Sequence, residues 1–120
     1  MKYRPSHEGD EVVKKDYQKR IIFSLDDFDE KGHLLQVVTV PANTRQRVHS
    51  HHKQTEVFYI LEGETLITIN GVDYPAKPGD AFICSPRDVH NLWNKTNREF
   101  RLVVFKINLP EEGEDTQWHE

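Results

Sequence analysis

The sequence lacks several features that would narrow the function class. Cys84 is the single cysteine, so no disulfide forms within the chain. No apolar run is long enough for a signal peptide or a membrane span. No cluster of basic and aromatic residues indicates nucleic-acid binding, and the net charge is -4 at pH 7. We therefore expect a cytoplasmic protein that binds neither membranes nor nucleic acids.

Helical periodicity is missing as well. Short β-branched or alternating runs are separated by turn residues roughly every 8 to 12 positions, which predicts an all-β sandwich or barrel. Residues 34–40 form the clearest strand. The segment Glu62-Gly63-Glu64 predicts a hairpin between the runs on either side of it, and Asn70-Gly71 predicts a two-residue turn.

The chain divides into three parts. Its 120 residues fit one domain: an N-terminal extension over residues 1–18, a β-barrel over residues 19–109 and an acidic tail over residues 110–120. Only 36% of the residues are hydrophobic, so burial of an interface would help, and we expect a homodimer. The extension can contribute a strand to that dimer. The tail is expected to be solvated, with Trp118 and His119 mobile.

Histidine, in contrast, is well represented. His49, His51, Glu56 and His90 stand at spacings that strands can bring together. Residues i and i+2 of a strand face the same side, so His49 and His51 point to one place. A turn after His51 can return Glu56 on a neighbouring strand, and His90 would come from a distant one. Three imidazoles and a carboxylate suit Mn, Fe, Co, Ni or Zn better than Ca or Mg.

Two spaced motifs resemble those of the cupin superfamily, small β-barrels with a double-stranded β-helix or jelly-roll fold. The first motif reads Asn43, His49, His51, Glu56 and Gly63, and the second reads Gly79, Ser85, Arg87, His90 and Asn94. Asn43 replaces a glycine, and asparagine tolerates the left-handed backbone conformation. Ser85 and Arg87 stand where the family usually has proline and glycine. The resemblance covers roughly residues 35 to 107 and implies a cupin barrel.

The resemblance also implies that His49, His51, Glu56 and His90 bind one divalent transition metal per chain. Such a metal keeps positions open to a small molecule in the barrel. The leading interpretation is a mononuclear metalloenzyme of the RmlC-like kind, with dioxygenase-like or isomerase- or lyase-like chemistry. The alternative is a non-catalytic binding or sensing module with a structural metal. No residue pattern chooses between them, and no catalytic residue is assigned.

Three further residues are candidates for a substrate pocket. Arg47 lies two residues before His49 and shares its inward face if the strand extends that far, where it can hold an anionic substrate or remain a surface arginine. Phe58 and Ile60 share the parity of Glu56 and should line the cavity. Cys84 is expected to be a small buried apolar residue.

Overall fold

The structure, a computed structural model that describes residues 1–120, is built almost entirely of β-strands. The strands are β1 (Asp10–Val13), β2 (Gln18–Phe23), β3 (Leu34–Val40), β4 (Thr44–Arg45), β5 (His49–His51), β6 (Thr55–Glu62), β7 (Thr65–Ile69), β8 (Val72–Ala76), β9 (Ala81–Cys84), β10 (His90–Asn94), β11 (Phe100–Ile107) and β12 (Thr116–Trp118). A short 3-10 turn at Leu25–Asp27 is the one helical segment. No helix has the length and apolar character needed to span a membrane. The all-β prediction is confirmed.

The strands form two antiparallel sheets that enclose the core. The first sheet has the order β1-β2-β3-β11-β6-β9, and the second has the order β12-β5-β10-β7-β8, with β4 paired to β10. Side chains on β6 and β11 alternate between inside and outside, as successive residues of a strand must. The jelly-roll prediction is confirmed by this arrangement.

The inner face of the first sheet changes from apolar to polar along its strands. The register of β11 with β3 and β6 places the inward side chains in four layers. From one end to the other, the layers are Phe100 with Val40, Leu102 with Val38 and Ile60, Val104 with Gln36 and Phe58, and Lys106 with Leu34 and Glu56. The first two layers are fully or almost fully buried apolar residues. The last two contain charged and amide groups, so the polar chemistry of the barrel lies at one end.

One predicted hairpin is wrong. The strands on either side of Glu62-Gly63-Glu64, β6 and β7, belong to different sheets and do not pair. Gly63 has a φ of 84°, and a Cβ at this position would lie 2.7 Å from the Glu99 carbonyl oxygen. The glycine therefore serves a corner where the chain passes between sheets, because a turn signal specifies a change of direction but not the pairing partner. The Asn70-Gly71 turn does join the paired strands β7 and β8, as predicted.

The N-terminal extension joins the sheet of its own chain. Strand β2 pairs with β3, and β1 pairs with β2 at the edge of the first sheet. The predicted contribution of residues 1–18 to a dimer stays a prediction, as does the cytoplasmic location.

The prediction of a solvated tail is wrong at Asp115, whereas residues 117–120 are exposed as expected, and the mobility of Trp118 and His119 stays a prediction. Strand β12 pairs with β5, which aligns Thr116 with His51 and Trp118 with His49. Asp115 is only 7% exposed. Acidic composition indicated solvation, but a carboxylate can instead be buried where backbone N–H groups donate to it.

Asn94 joins the ends of several segments at the apolar end of the barrel. Its side chain is fully buried; Nδ2 donates to the carbonyls of Val40, Pro41 and Arg98 at 2.7 to 3.2 Å. Its Oδ1 accepts from the backbone N–H and the hydroxyl of Thr96. These bonds satisfy backbone groups in a region that has little access to water.

We predict that Asn94→Ala lowers the free energy of unfolding by about 2–4 kcal/mol, because several buried polar groups lose their partner. Urea unfolding followed by circular dichroism measures this change. The exposed neighbour Asn97, changed to alanine in the same way, is the control and should alter stability by no more than about 0.5 kcal/mol. Equal midpoints for the two variants would contradict the role of Asn94.

Candidate metal centre

The four predicted ligands meet at the polar end of the barrel. His49 and His51 lie on β5, which pairs with β10 through the register of His49 with His90. Glu56 comes from β6 in the facing sheet. One ligand atom from each of the four lies within 4.8 Å of the other three. The parity argument therefore predicted a real cluster, which can hold a metal ion.

Backbone carbonyls orient two of the imidazoles. His49 Nδ1 lies 2.8 Å from the Arg47 carbonyl oxygen, and His90 Nδ1 lies 2.9 Å from that of Asp88. A carbonyl can only accept, so we infer that each Nδ1 carries the proton. The Nε2 atom of each ring then keeps a lone pair for a metal, an arrangement found around many metal-binding histidines.

The donor set fits a divalent cation. Glu56 Oε1 lies 2.7 Å from His51 Nε2 and 3.1 Å from His90 Nε2. His51 Nε2 is buried, and no group is aligned to form a hydrogen bond with it, in spite of this close approach. Buried polar atoms rarely remain without a partner. A cation among these nitrogen and oxygen lone pairs would satisfy all of them, and the mixed imidazole and carboxylate set favours a transition metal.

The protonation states of His49 and Glu56 also suit a metal. Burial lowers the pKa of His49 to about 4, and the neighbouring His90 contributes in the same direction. Burial opposes ionisation of Glu56, but contacts with His51 and His90 outweigh it and hold its pKa well below the usual value. At neutral pH His49 is neutral and Glu56 is ionised, which are the forms that bind metals.

The turn before His90 departs from the family motif without loss of its geometry. Arg87, which replaces a glycine, has a φ of 74°, and Asn43, the other replacement, has a φ of 53°. Both residues therefore adopt the left-handed conformation that glycine usually serves. The Arg87 N–H donates to the His51 carbonyl at 2.7 Å, so this turn is attached to the strand that carries two ligands.

A cavity of about 260 Å³ opens beside the cluster. Phe58 lines it, as predicted from its parity. Arg47 lines it as well, but it lies between β4 and β5, so strand parity does not account for its position. Ile60 does not line the cavity: it is 1% exposed and packs in the apolar core, two residues further along β6 from Phe58. The prediction for Ile60 is wrong because parity shows which face of the sheet a side chain occupies, but not whether it lines the cavity or packs in the apolar core beneath it.

Cys84 is buried as predicted. Burial, together with the charges of Glu56 and Asp88, raises the pKa of its thiol to about 12. The thiol is therefore protonated and unreactive at neutral pH.

The sequence reasoning missed several residues that line the cavity. They are Asp16, Tyr17, Lys19, Gln36, Val38, Gln46, Leu92, Leu102, Val104, Lys106, Glu114, Thr116 and Trp118. Strand parity with Val38 and Val104 could have identified Gln36 and Lys106. Nothing in the sequence indicated Thr116 or Trp118, because the pairing of β12 with β5 has no local signal.

The C-terminal strand forms part of the surroundings of the metal centre. The Thr116 hydroxyl lies 3.2 Å from His51 Nδ1, and the Trp118 ring lies 5.3 Å from that of His49. Asp115 holds the loop between His51 and Glu56. Its carboxylate accepts from the backbone N–H groups of Lys53 and Gln54, and its carbonyl accepts from that of His52.

The fold and this cluster define a small β-barrel protein with a candidate metal site at the mouth of its cavity. The chain belongs to the cupin family, since the family model described as Cupin domain matches residues 36–106. Residues 115–120 lie outside that match.

Individual relatives are more distant. An uncharacterized protein of Methanocaldococcus jannaschii is 30% identical over 78 residues, which span 65% of this chain and 62% of that protein. An oxalate-binding protein of Thermotoga maritima is 28% identical over 88 residues, 73% of each chain. The crystal structure of a predicted oxalate decarboxylase, also from Thermotoga maritima, superimposes with a TM-score of 0.78 at 24% identity and covers 89% of this chain and 98% of the other.

We predict that Asp115→Ala lowers the free energy of unfolding by about 2 kcal/mol, because the buried N–H of Gln54 and the partly buried N–H of Lys53 lose their acceptor. It should also weaken metal binding, since the loop sets the distance between His51 and Glu56. Thermal unfolding and chelator competition measure the two effects. Glu112, an exposed acidic residue of the same tail, is the matched control for the change to alanine. Identical behaviour of the two variants would contradict this role.

Proposed function

We propose that the protein is a mononuclear metalloprotein that binds a small organic molecule in the barrel cavity, and that it acts on that molecule as an enzyme. The observation that carries the proposal is the convergence of His49, His51, Glu56 and His90 on one point beside the cavity. A structural metal alone would not require an adjacent cavity with polar walls.

One group of side chains would bind the metal, and another group would contact the ligand. The three imidazoles and Glu56 would hold one divalent transition metal, which when bound supplies a Lewis acid with positions left for a small molecule. Phe58 and Val104 exclude water from one side of the cavity. Arg47 lies over the Trp118 ring, 4.3 Å from its centre, and its guanidinium donates to the Glu120 carbonyl at 2.8 Å, so its remaining N–H groups could contact an anion at the edge of the site.

The relatives support a small organic acid as the ligand and a lyase-type reaction over the oxygenase alternative. One is named for oxalate binding and another is described as a predicted oxalate decarboxylase. The first name also favours the second candidate function, a binding or sensing module that does not catalyse. Incubation of the metal-loaded protein with ¹³C-labelled oxalate, succinate and glutarate, followed by NMR, separates the two: metal-dependent conversion of any of them supports the enzyme, and binding without conversion supports the module.

We predict that protein purified without a histidine tag carries about one divalent metal per chain, and that His51→Ala loses most of it. Mass spectrometry of the elements in the dialysed protein measures the content. The adjacent His52 is exposed and points away from the cluster, so His52→Ala is the matched control and should keep its metal. Full metal occupancy in the His51 variant would refute the ligand assignment.

We also propose that the protein is a homodimer. Strand β1 has a free backbone edge at the end of the first sheet, and Val13 on it is 71% exposed. An unpaired edge of this kind is a surface on which a second copy can add its own β1. A rival surface is the outer face of the same sheet, where Tyr59, Leu61 and Ile83 are exposed.

Light scattering at micromolar concentration should give about twice the chain mass of 14.1 kDa. Deletion of residues 1–14, which removes β1 and leaves β2 whole, should shift the protein toward the monomer, because the free edge is lost. Tyr59→Glu is the comparison and should leave the dimer intact. A monomer only in the Tyr59 variant would move the contact to the outer face, and a wild-type monomer would refute the dimer.

A further inference from the structure

A row of polar side chains crosses the first sheet inside the cavity. Lys19 on β2 pairs with Val38, and Lys106 on β11 pairs with Leu34, the two residues of β3 that flank Gln36 on the same face. All three polar side chains line the cavity. Lys106 also pairs with Glu56. The row therefore begins beside the metal centre and leads away from it across three neighbouring strands.

The polar groups of this row have few partners in the protein. No ion pair of the structure includes Lys19 or Lys106. Gln36 is 4% exposed, and its Oε1 is buried without a hydrogen-bond partner. Burial, together with the charges of Lys106 and Lys14, lowers the pKa of Lys19, in keeping with two ammonium groups that share a partly dry space. The two ammonium groups and the N–H groups of the Gln36 amide are donors, and an anionic ligand in the cavity would accept from them.

The charges of the cavity indicate the class of that ligand. Three cationic side chains line it (Lys19, Arg47 and Lys106) and three anionic ones (Asp16, Glu56 and Glu114). These balance one another, so a divalent metal on the cluster would leave two positive charges in excess. A small dianion would neutralise them.

The spacing sets the length of the dianion. Lys19 lies three strands from Glu56 in the first sheet, roughly 14 Å at the usual strand separation, and four residues further along the strands, roughly 13 Å. The side chains cover part of this diagonal distance. Oxalate is too short to contact both ends. A cavity of about 260 Å³ lies just below the size of pockets for drug-sized ligands, roughly 300–1,000 Å³, so the ligand is small.

We propose that Lys19, Gln36 and Lys106 form the second half of a two-point site for a small dicarboxylic acid of about four or five carbons. One carboxylate binds at the metal centre and the other binds against this row. The inference rests on the proposed function, because it uses the metal centre as the first point of attachment.

Calorimetric titration of the metal-loaded protein tests the site with succinate, glutarate, oxalate and butyrate. Succinate or glutarate should bind at least tenfold more tightly than butyrate, which lacks the second carboxylate, and more tightly than oxalate. Lys19→Met and Lys106→Met should each weaken binding of the better diacid about tenfold without loss of metal. Lys77→Met, an exposed lysine outside the cavity, is the matched control and should bind as the wild type does.

The outcomes separate this inference from the proposed function. A wild-type protein that takes up no metal would refute the proposed function itself. A loaded protein that binds succinate and glutarate no better than butyrate, or less tightly than oxalate, would overturn the two-point site and leave the metal centre standing. The two-point site would also be overturned if Lys19→Met and Lys106→Met bound the diacid as tightly as Lys77→Met does. The comparison of acids uses only wild-type protein, so it decides the matter even where a lysine variant fails to fold.

Discussion

The contact of Glu56 with His51 and His90 is the interaction on which the arrangement of the barrel mouth depends. It joins the two sheets, since Glu56 lies on β6 and both imidazoles lie on the facing sheet. A carboxylate buried this deeply is tolerable only where positive charge stabilises it, and a metal ion held by the same imidazoles would supply that charge. The polar end of the barrel therefore has to hold β5, β6 and β10 at a fixed separation, whether or not apolar packing would favour that separation.

Two surrounding segments, the turn before β10 and the segment at Asp115, supply that constraint, and each acts through backbone groups. The turn before β10 attaches to β5 through the Arg87 N–H, and it keeps its shape although an arginine in the left-handed conformation costs about 1 kcal/mol relative to glycine. Asp115 holds the loop that connects His51 to Glu56. The carbonyl of Asp88 orients His90. Because these contacts are made by the backbone or by a carboxylate, the side chains facing the cavity remain free for a ligand.

The sequence predicted the residues of the metal cluster but not everything that surrounds them. His49, His51, Glu56 and His90 could be identified because strand parity and motif spacing are local properties of the chain. The hairpin at Gly63 and the solvation of Asp115 were wrong because each depends on which strands become neighbours, and the cavity position of Ile60 was wrong because parity does not give the depth of the core. The pairing of β12 with β5 joins residues more than sixty positions apart, and no turn or periodicity records it. Lys19 was missed for a related reason, since its place beside β3 is known only once the register is known.

The two ends of the barrel have different roles: the apolar layers of the first sheet stabilise the fold, and the polar layers line the cavity. Phe100, Leu102 and Val40 fill one end without exposure to water, and burial of such side chains stabilises a fold by roughly 1.5–3 kcal/mol each. At the other end the same strands present Glu56, Gln36 and Lys106, groups that lose solvation on folding and contribute little packing. The apolar end therefore offsets the cost of the polar end. A ligand that contacts both the metal and the lysines would offset part of that cost. Ligand binding in the cavity should therefore stabilise the folded barrel.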